Sequence, residues 1–103
     1  MITELETMDE LNAAIASEKC SVIDFYATWC LPCKLVHPKF ESYSNTFKNV
    51  NFYQVDVDKA QDIAFQCGIK CMPTFKFYKS GKEFNEILGA NIWSLKRIIK
   101  KNN

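Results

Sequence analysis

The sequence predicts an α/β fold, a central mixed five-stranded sheet flanked by four helices. Three observations predict it. Apolar runs bounded by turn residues alternate with stretches of helical periodicity through the first two thirds of the chain, which implies parallel strands joined by right-handed crossovers. Two further strand-like runs then meet across Lys79-Ser80-Gly81-Lys82, an antiparallel hairpin. A last amphipathic segment closes the chain, so the order reads (β)αβαβαββα with helices on both faces of the sheet.

Each element has a local reason. Thr7-Met8-Asp9-Glu10 has capping-box spacing, and Leu11, Ala14 and Ile15 share a helical face, so Asp9 to Ala16 is a helix. Val22 to Ala27 is short, apolar and rich in β-formers, as in a parallel strand buried on both faces. Val36, Phe40, Tyr43 and Phe47 recur at helical spacing in a long amphipathic helix that carries Pro38, which removes one hydrogen bond and kinks it. Phe52 to Val57 is a strand. Asp58-Lys59-Ala60-Gln61 caps a short helix ending near Gly68, a good residue just past a C-terminus. Thr74 to Tyr78 and Glu83 to Leu88 are the hairpin strands, with Gly81 at the turn position needing positive φ. Asn91 caps the final helix, with Ile92, Leu95, Ile98 and Ile99 on one face and Lys96, Arg97, Lys100 and Lys101 toward its C-terminal end. Lys101 to Asn103 is expected to fray.

Composition narrows the function. The 103 residues fit one domain, residues 1–103, able to bury roughly 60–70% of its unfolded surface. The net charge of +1 offers no field for nucleic acid or a membrane surface. No apolar run approaches the ~20 residues of a membrane span. The first residues, "MITELETMDELNAAI", are acidic and unlike a signal or transit peptide. The five cysteines are odd in number, which fits thiols kept reduced in the cytosol better than a disulfide framework.

The chemistry concentrates in "IDFYATWCLPCKLVHP", Ile23 to Pro38. Cys30 falls where a strand gives way to a helix, and unpaired N–H groups there favour a thiolate. Cys33 lies one turn on, so Cys30 can attack a disulfide and Cys33 can resolve the mixed disulfide. Pro32 suits the first helical turn and stiffens the pair. Two plainer readings remain open: an apolar cysteine pair without chemistry, and a zinc knuckle shared with Cys67 and Cys71. Asp24 interrupts the buried run, and lost hydration raises its pKa toward neutrality; the alternative is an Asp that reaches solvent at a strand end.

"DFYATWCLPCK" resembles the active-site signature of the thioredoxin family, usually WCGPCK. "VDVDKAQDIA", "GIKCMPTFKFYKSGK" and "GAN" resemble later blocks of that family, and the likeness runs from about Leu11 to Ile99. Cys71-Met72-Pro73-Thr74, with Cys67 upstream, leans toward eukaryotic cytosolic members. The resemblance implies the thioredoxin fold and a protein-disulfide reductase that carries electrons as a dithiol and maintains cell redox homeostasis. It implies Cys30 as nucleophile, Cys33 as resolving thiol and Asp24 as its proton acceptor. Where many members carry a Lys beside that Asp, this chain has Gln54. The Met72–Pro73 bond is implied to be cis, presenting the Met72 backbone beside Cys30 to an extended substrate segment; without the resemblance, Pro73 is a plain strand-start proline.

Trp29, Leu31, Met72, Pro73, Gly89 and Ala90 would form an apolar rim for protein substrates, with packing as the other reading of Trp29. Cys67 and Cys71 align with regulatory cysteines, and Cys71 could link two otherwise monomeric chains. Cys20 reads as a small buried residue and His37 as solvent-facing. No bound cofactor is implied; NADPH would supply electrons through a thioredoxin reductase, in the cytoplasm. Leu31 departs from the family's Gly, which implies altered substrate preference and potential. A disulfide isomerase or oxidase, and a binding subunit with incidental thiols, are the rival functions.

Overall fold

The computed structural model describes residues 1–103. The elements are β1 (Ile2–Glu4), α1 (Met8–Ile15), β2 (Ser21–Tyr26), α2 (Leu31–Thr46), β3 (Asn51–Asp56), α3 (Gln61–Gln66), β4 (Thr74–Lys79), β5 (Lys82–Leu88) and α4 (Ile92–Lys101). The five strands form one sheet in the order β1-β3-β2-β4-β5. Strands β1, β3 and β2 are parallel, while β4 runs antiparallel to β2 and β5 antiparallel to β4. The mixed sheet expected from the sequence is therefore the one observed, with β2 at its centre.

Strand alternation divides the core into two layers. Val22, Phe52, Phe75 and Phe77 pack with Val36 and Phe40 of α2 and with Leu95 and Ile99 of α4. On the opposite face, Ile23, Phe25 and Val55 pack with Leu11 and Ala14 of α1 and Ile63 of α3. Asp24 lies two residues after Val22 and so shares the α2 face. Phe40 anchors that layer, with its ring 5.2 Å from Phe52 and 5.5 Å from Phe75.

The helix ends follow local chemistry. Thr7 Oγ1 accepts from Glu10 N at 3.1 Å while Thr7 N donates to Glu10 Oε1 at 3.0 Å, the reciprocal capping box. Asn91 accepts from Ser94 N at 3.1 Å and starts α4. In the β4–β5 turn both Ser80 (φ 50°) and Gly81 (φ 82°) are left-handed, as a two-residue hairpin turn requires. Their amides donate to Ser17 O and Ile15 O, both at 2.8 Å, which ties the hairpin tip to the end of α1.

Two expectations need correction. Asp58 does not cap α3: the N-cap is Ala60, with no side-chain cap bond, and the Asp58 carboxylate is held elsewhere. Nor is Lys101–Asn103 frayed. Lys101 is helical, Asn102 Nδ2 donates to Ile98 O at 2.8 Å, and Asn103 Oδ1 accepts from Asn49 N at 3.1 Å. The Asn102 amide thus binds a last-turn carbonyl of α4, and the Asn103 amide ties the chain end to the backbone after α2.

Phe40→Ala removes a fully buried ring wedged between two others. It is expected to destabilise the chain by about 3–5 kcal/mol. A urea midpoint lowered at unchanged m-value would show it; a loss below about 1 kcal/mol would mean that the α2 layer collapses onto the void.

Candidate active site

The site forms where β2 ends and α2 begins. Cys30 is the N-cap of α2, in extended backbone, and Leu31 and Pro32 open the helix, Pro32 contributing no amide to the unpaired first turn. Cys33 N donates to Cys30 Sγ at 3.3 Å, so the first sulfur sits where a side-chain oxygen caps other helices. The Cys30 and Cys33 sulfurs lie at disulfide-bonding distance, with Cα atoms 5.3 Å apart. Cys30 is only 5% exposed, packed with Ala27 and Cys33 against Tyr26, Val57 and Met72. Its sulfur lies 3.7 Å from Met72 O, and the Met72–Pro73 peptide is cis. Gly89 N donates to Pro73 O at 2.8 Å, which joins the Gly89-Ala90 loop to this segment.

The residues expected at the rim divide by exposure. Trp29 is 67% and Leu31 63% exposed, and Ala90 is also open to solvent. Met72 and Gly89 are half-buried, and Pro73 is buried, so Pro73 supports the rim from behind and adds little surface to it. Trp29 does not pack into the core. Its Nε1 donates to Asp58 Oδ2 at 2.9 Å, which fixes the indole by its polar edge.

Asp24 is 1% exposed, and its Oδ1 has no hydrogen-bond partner. Burial raises its pKa from 3.8 to about 7, and the Glu4 carboxylate adds to the rise. Gln54 stands directly opposite Asp24 across the parallel β2–β3 pairing, as the sequence suggested, and offers no positive charge. A cavity of about 410 Å³ connects Asp24 with Tyr26, Cys33, Lys34, His37 and Gln54. His37 is therefore half-buried at the cavity wall, with Nε2 3.6 Å from Glu41 Oε2. A larger groove of about 790 Å³ lies between β5 and α4, but it contains no cysteine.

The remaining cysteines lie outside this arrangement. Cys20 is buried in the α2–α4 layer, which pushes its thiol up to about 11. Cys67 is half-buried with Tyr78 Oη 3.8 Å from its sulfur, and burial raises its pKa too. Cys71 is exposed. The four cysteines of the zinc alternative are not gathered: no three His, Cys, Asp or Glu side chains cluster in metal-ligating geometry. No helix is long and apolar enough to cross a membrane. Sequence reasoning missed Glu4, Tyr26 and Asp58, whose partners lie far away along the chain.

The Asp24 environment carries a stability cost with a definite sign. The unfolded carboxyl ionises near 3.8 and the folded one near 7. Between those values the unfolded chain has already lost its proton, so stability falls as pH rises and levels off above pH 7. Asp24→Asn is expected to stabilise the chain on the order of 4 kcal/mol at pH 8 and by less than about 1 kcal/mol at pH 4. Urea unfolding at the two pH values measures this; equal gains at both would contradict it.

Comparison with known proteins agrees with this geometry. The family model described as Thioredoxin matches residues 2–101. The chain is 46% identical to a thioredoxin of Equus caballus over 102 residues, 97% of each chain. It is 50% identical to a thioredoxin of Gallus gallus over 91 residues, 88% of this chain and 87% of the other. The crystal structure of Malassezia sympodialis thioredoxin superposes with a TM-score of 0.94 at 38% identity, covering 99% of this chain and 90% of that one. With a redox-active Cys30–Cys33 pair at the head of α2, and a match to the family model over nearly its whole length, the chain belongs to the thioredoxin family of thiol–disulfide oxidoreductases.

Proposed function

We propose that the chain works as a single-domain, monomeric protein-disulfide reductase of the eukaryotic cytosolic type. Its substrates are protein disulfides. It binds no cofactor and is recycled by a thioredoxin reductase with electrons from NADPH. The observation that carries the reading is the Cys30 sulfur, capped by the Cys33 amide and paired with the Cys33 sulfur beside the Met72 carbonyl. The amide and the helix N-terminus favour the Cys30 thiolate over the thiol. The cytosolic placement is supported by the odd cysteine count and by free Cys20, Cys67 and Cys71.

In the reductive half-reaction, Cys30 thiolate attacks one substrate sulfur and the first substrate thiolate leaves. Cys33 then attacks Cys30 Sγ in the mixed disulfide. Its thiol proton passes to the Asp24 carboxylate, directly or through water in the shared cavity, and the second substrate thiolate leaves. Two electrons move to the substrate, and the carrier ends as the Cys30–Cys33 disulfide. A carboxyl that ionises near pH 7 suits a base at neutral pH. Trp29, Leu31 and Ala90 supply the exposed rim, and the Met72 backbone, flanked by Pro73 and Gly89, offers main-chain groups to an extended substrate segment. Leu31 and Pro32 tune the pair. Cys67 and Cys71 act in regulation, Cys71 by linking two chains, since it is the exposed one of the two.

Catalytic amounts of the chain should accelerate reduction of a protein disulfide by a small dithiol. Cys30→Ser should abolish the acceleration and Cys33→Ser should trap a mixed disulfide; no acceleration by the unaltered chain would sink the reading. Asp24→Asn should slow turnover by about a hundredfold at pH 7, and less at pH 9, where hydroxide can take the Cys33 proton.

Leu31→Gly removes an exposed apolar side chain and restores backbone freedom beside the nucleophile. It should leave catalysis intact while changing the ranking of protein substrates by kcat/KM and shifting the potential measured against glutathione. An unchanged ranking and potential would assign Leu31 no part in either.

A further inference from the structure

The register places three side chains in one row across the α2 face of the sheet. Glu4 on β1 stands opposite Gln54 on β3, and Gln54 stands opposite Asp24 on β2. Gln54 is the polar neighbour best placed to hydrogen-bond Asp24, since adjacent strands are about 4.8 Å apart. It does not do so. Gln54 Nε2 donates to Glu4 Oε1 at 2.6 Å, on the far side of β3. Glu4 also draws the Tyr26 hydroxyl, which donates to Oε1 at 3.1 Å and Oε2 at 3.2 Å, and Asp56 N at 3.3 Å. Two side-chain donors beside Asp24 are thus committed to Glu4, and Asp24 Oδ1 is left without a partner.

We infer that Glu4 is a positioning residue for Asp24: by holding the Gln54 amide and the Tyr26 hydroxyl on its own carboxylate, it keeps the buried carboxyl beside Cys33 free of donors. The inference rests on the reading of Asp24 as the proton acceptor for Cys33. Glu4 acts on Asp24 in two ways of the same sign. A donor turned onto Asp24 would stabilise the carboxylate and weaken it as a base. The Glu4 charge, about two strand spacings or ~10 Å away, disfavours a second negative charge in the same low-dielectric layer. The other groups facing Asp24 are Cys33, Lys34 and His37 from α2, Tyr26 on its own strand, and neutral Phe75 opposite it on β4; Asp56 pairs with Tyr26 one step along. Lys34 is exposed, and its ammonium opposes the effect of Glu4.

The test is the titration of the Asp24 carboxyl carbon by NMR in the oxidised full-length chain, which needs no substrate. In Glu4→Ala the charge is gone and both donors are released. Its midpoint should fall by about one pH unit, a tenfold larger dissociation constant. Glu4→Gln removes the charge but keeps an acceptor, so its midpoint should fall by less; it also serves as the deciding variant if the alanine form does not fold. Adding Gln54→Leu to Glu4→Ala removes one released donor and should return part of the shift. A midpoint in Glu4→Ala, or in Glu4→Gln where that variant decides, that equals or exceeds that of the unaltered chain overturns the inference. So does a double variant that titrates like Glu4→Ala. The pH profile of disulfide turnover should follow the carboxyl titration in each variant. Turnover by the unaltered chain decides the reductase reading separately. A chain without turnover whose Asp24 titration moves as expected upholds the role of Glu4 while the reductase reading falls.

Discussion

Strand β2 is hydrogen-bonded along both edges and covered on both faces, which fixes where its last residues deliver the chain. Parallel pairing with β3 and antiparallel pairing with β4 leave it no freedom of register, because a slip of one residue would turn Asp24 into the α1–α3 layer and Ile23 or Phe25 out of it. The turn after β2 therefore begins at a set height, and Cys30 falls at the head of α2 with Cys33 one turn inside. The position of the dithiol over the buried carboxyl is a property of the sheet. The cysteines themselves need only supply sulfur.

The sheet buries other ionisable side chains, and the contrast with Lys76 shows what is unusual about Asp24. Lys76 on β4 is 6% exposed, yet its Nζ lies 2.8 Å from Glu83 Oε1 and 2.8 Å from Glu86 Oε2 on β5. Burial disfavours the ammonium, but those two carboxylates outweigh it and raise the pKa, so Lys76 stays charged. That is how a fold retains a buried ion: it is given partners of opposite sign. Asp24 has no ion-pair partner, and the Glu4 carboxylate, which adds to the rise in its pKa, has the same sign. A group that costs stability whenever it ionises, and is left without compensation, is better explained by chemistry than by architecture.

Much of this was legible in the sequence because it is local. The Thr7–Glu10 capping box, the Asn91 cap, Gly68 at the end of α3, the Gly81 turn and the Cys30–Cys33 spacing are all decided within a few residues. The burial of Asp24 could be read from the apolar residues around it. What was missed depends on strand order. Strand β1 has three residues, too few to show alternation, so nothing marked Glu4 as facing the same layer as Gln54, fifty residues later. Asp58 reads as a helix cap because it precedes a short helical stretch. Its carboxylate instead meets the Trp29 indole, a contact that exists only once β3 lies beside β2. At the C-terminus Asn102 finds Ile98 one turn back, but Asn103 meets Asn49 only once α4 has packed beside the end of α2, so the sequence suggested fraying.

The five cysteines share one chemistry and are sorted by their surroundings. Cys20 sits among Val22, Phe77 and Ile99, where a thiolate has no solvation, and burial keeps it a thiol at any physiological pH. Cys67 has the Tyr78 hydroxyl near its sulfur, but burial still prevails and its thiol is also pushed up. Cys71 is open to solvent, with its sulfur 3.9 Å from the Thr74 hydroxyl, so access is its distinguishing property. Cys30 alone has its sulfur on a backbone amide at a helix N-terminus, while a carbonyl, Met72 O, marks its other side. A thiolate there is solvated by the protein in place of water, without needing exposure. Near burial and nucleophilic character, which oppose each other in Cys20 and Cys67, are compatible in Cys30 because the helix supplies the donors that burial removes.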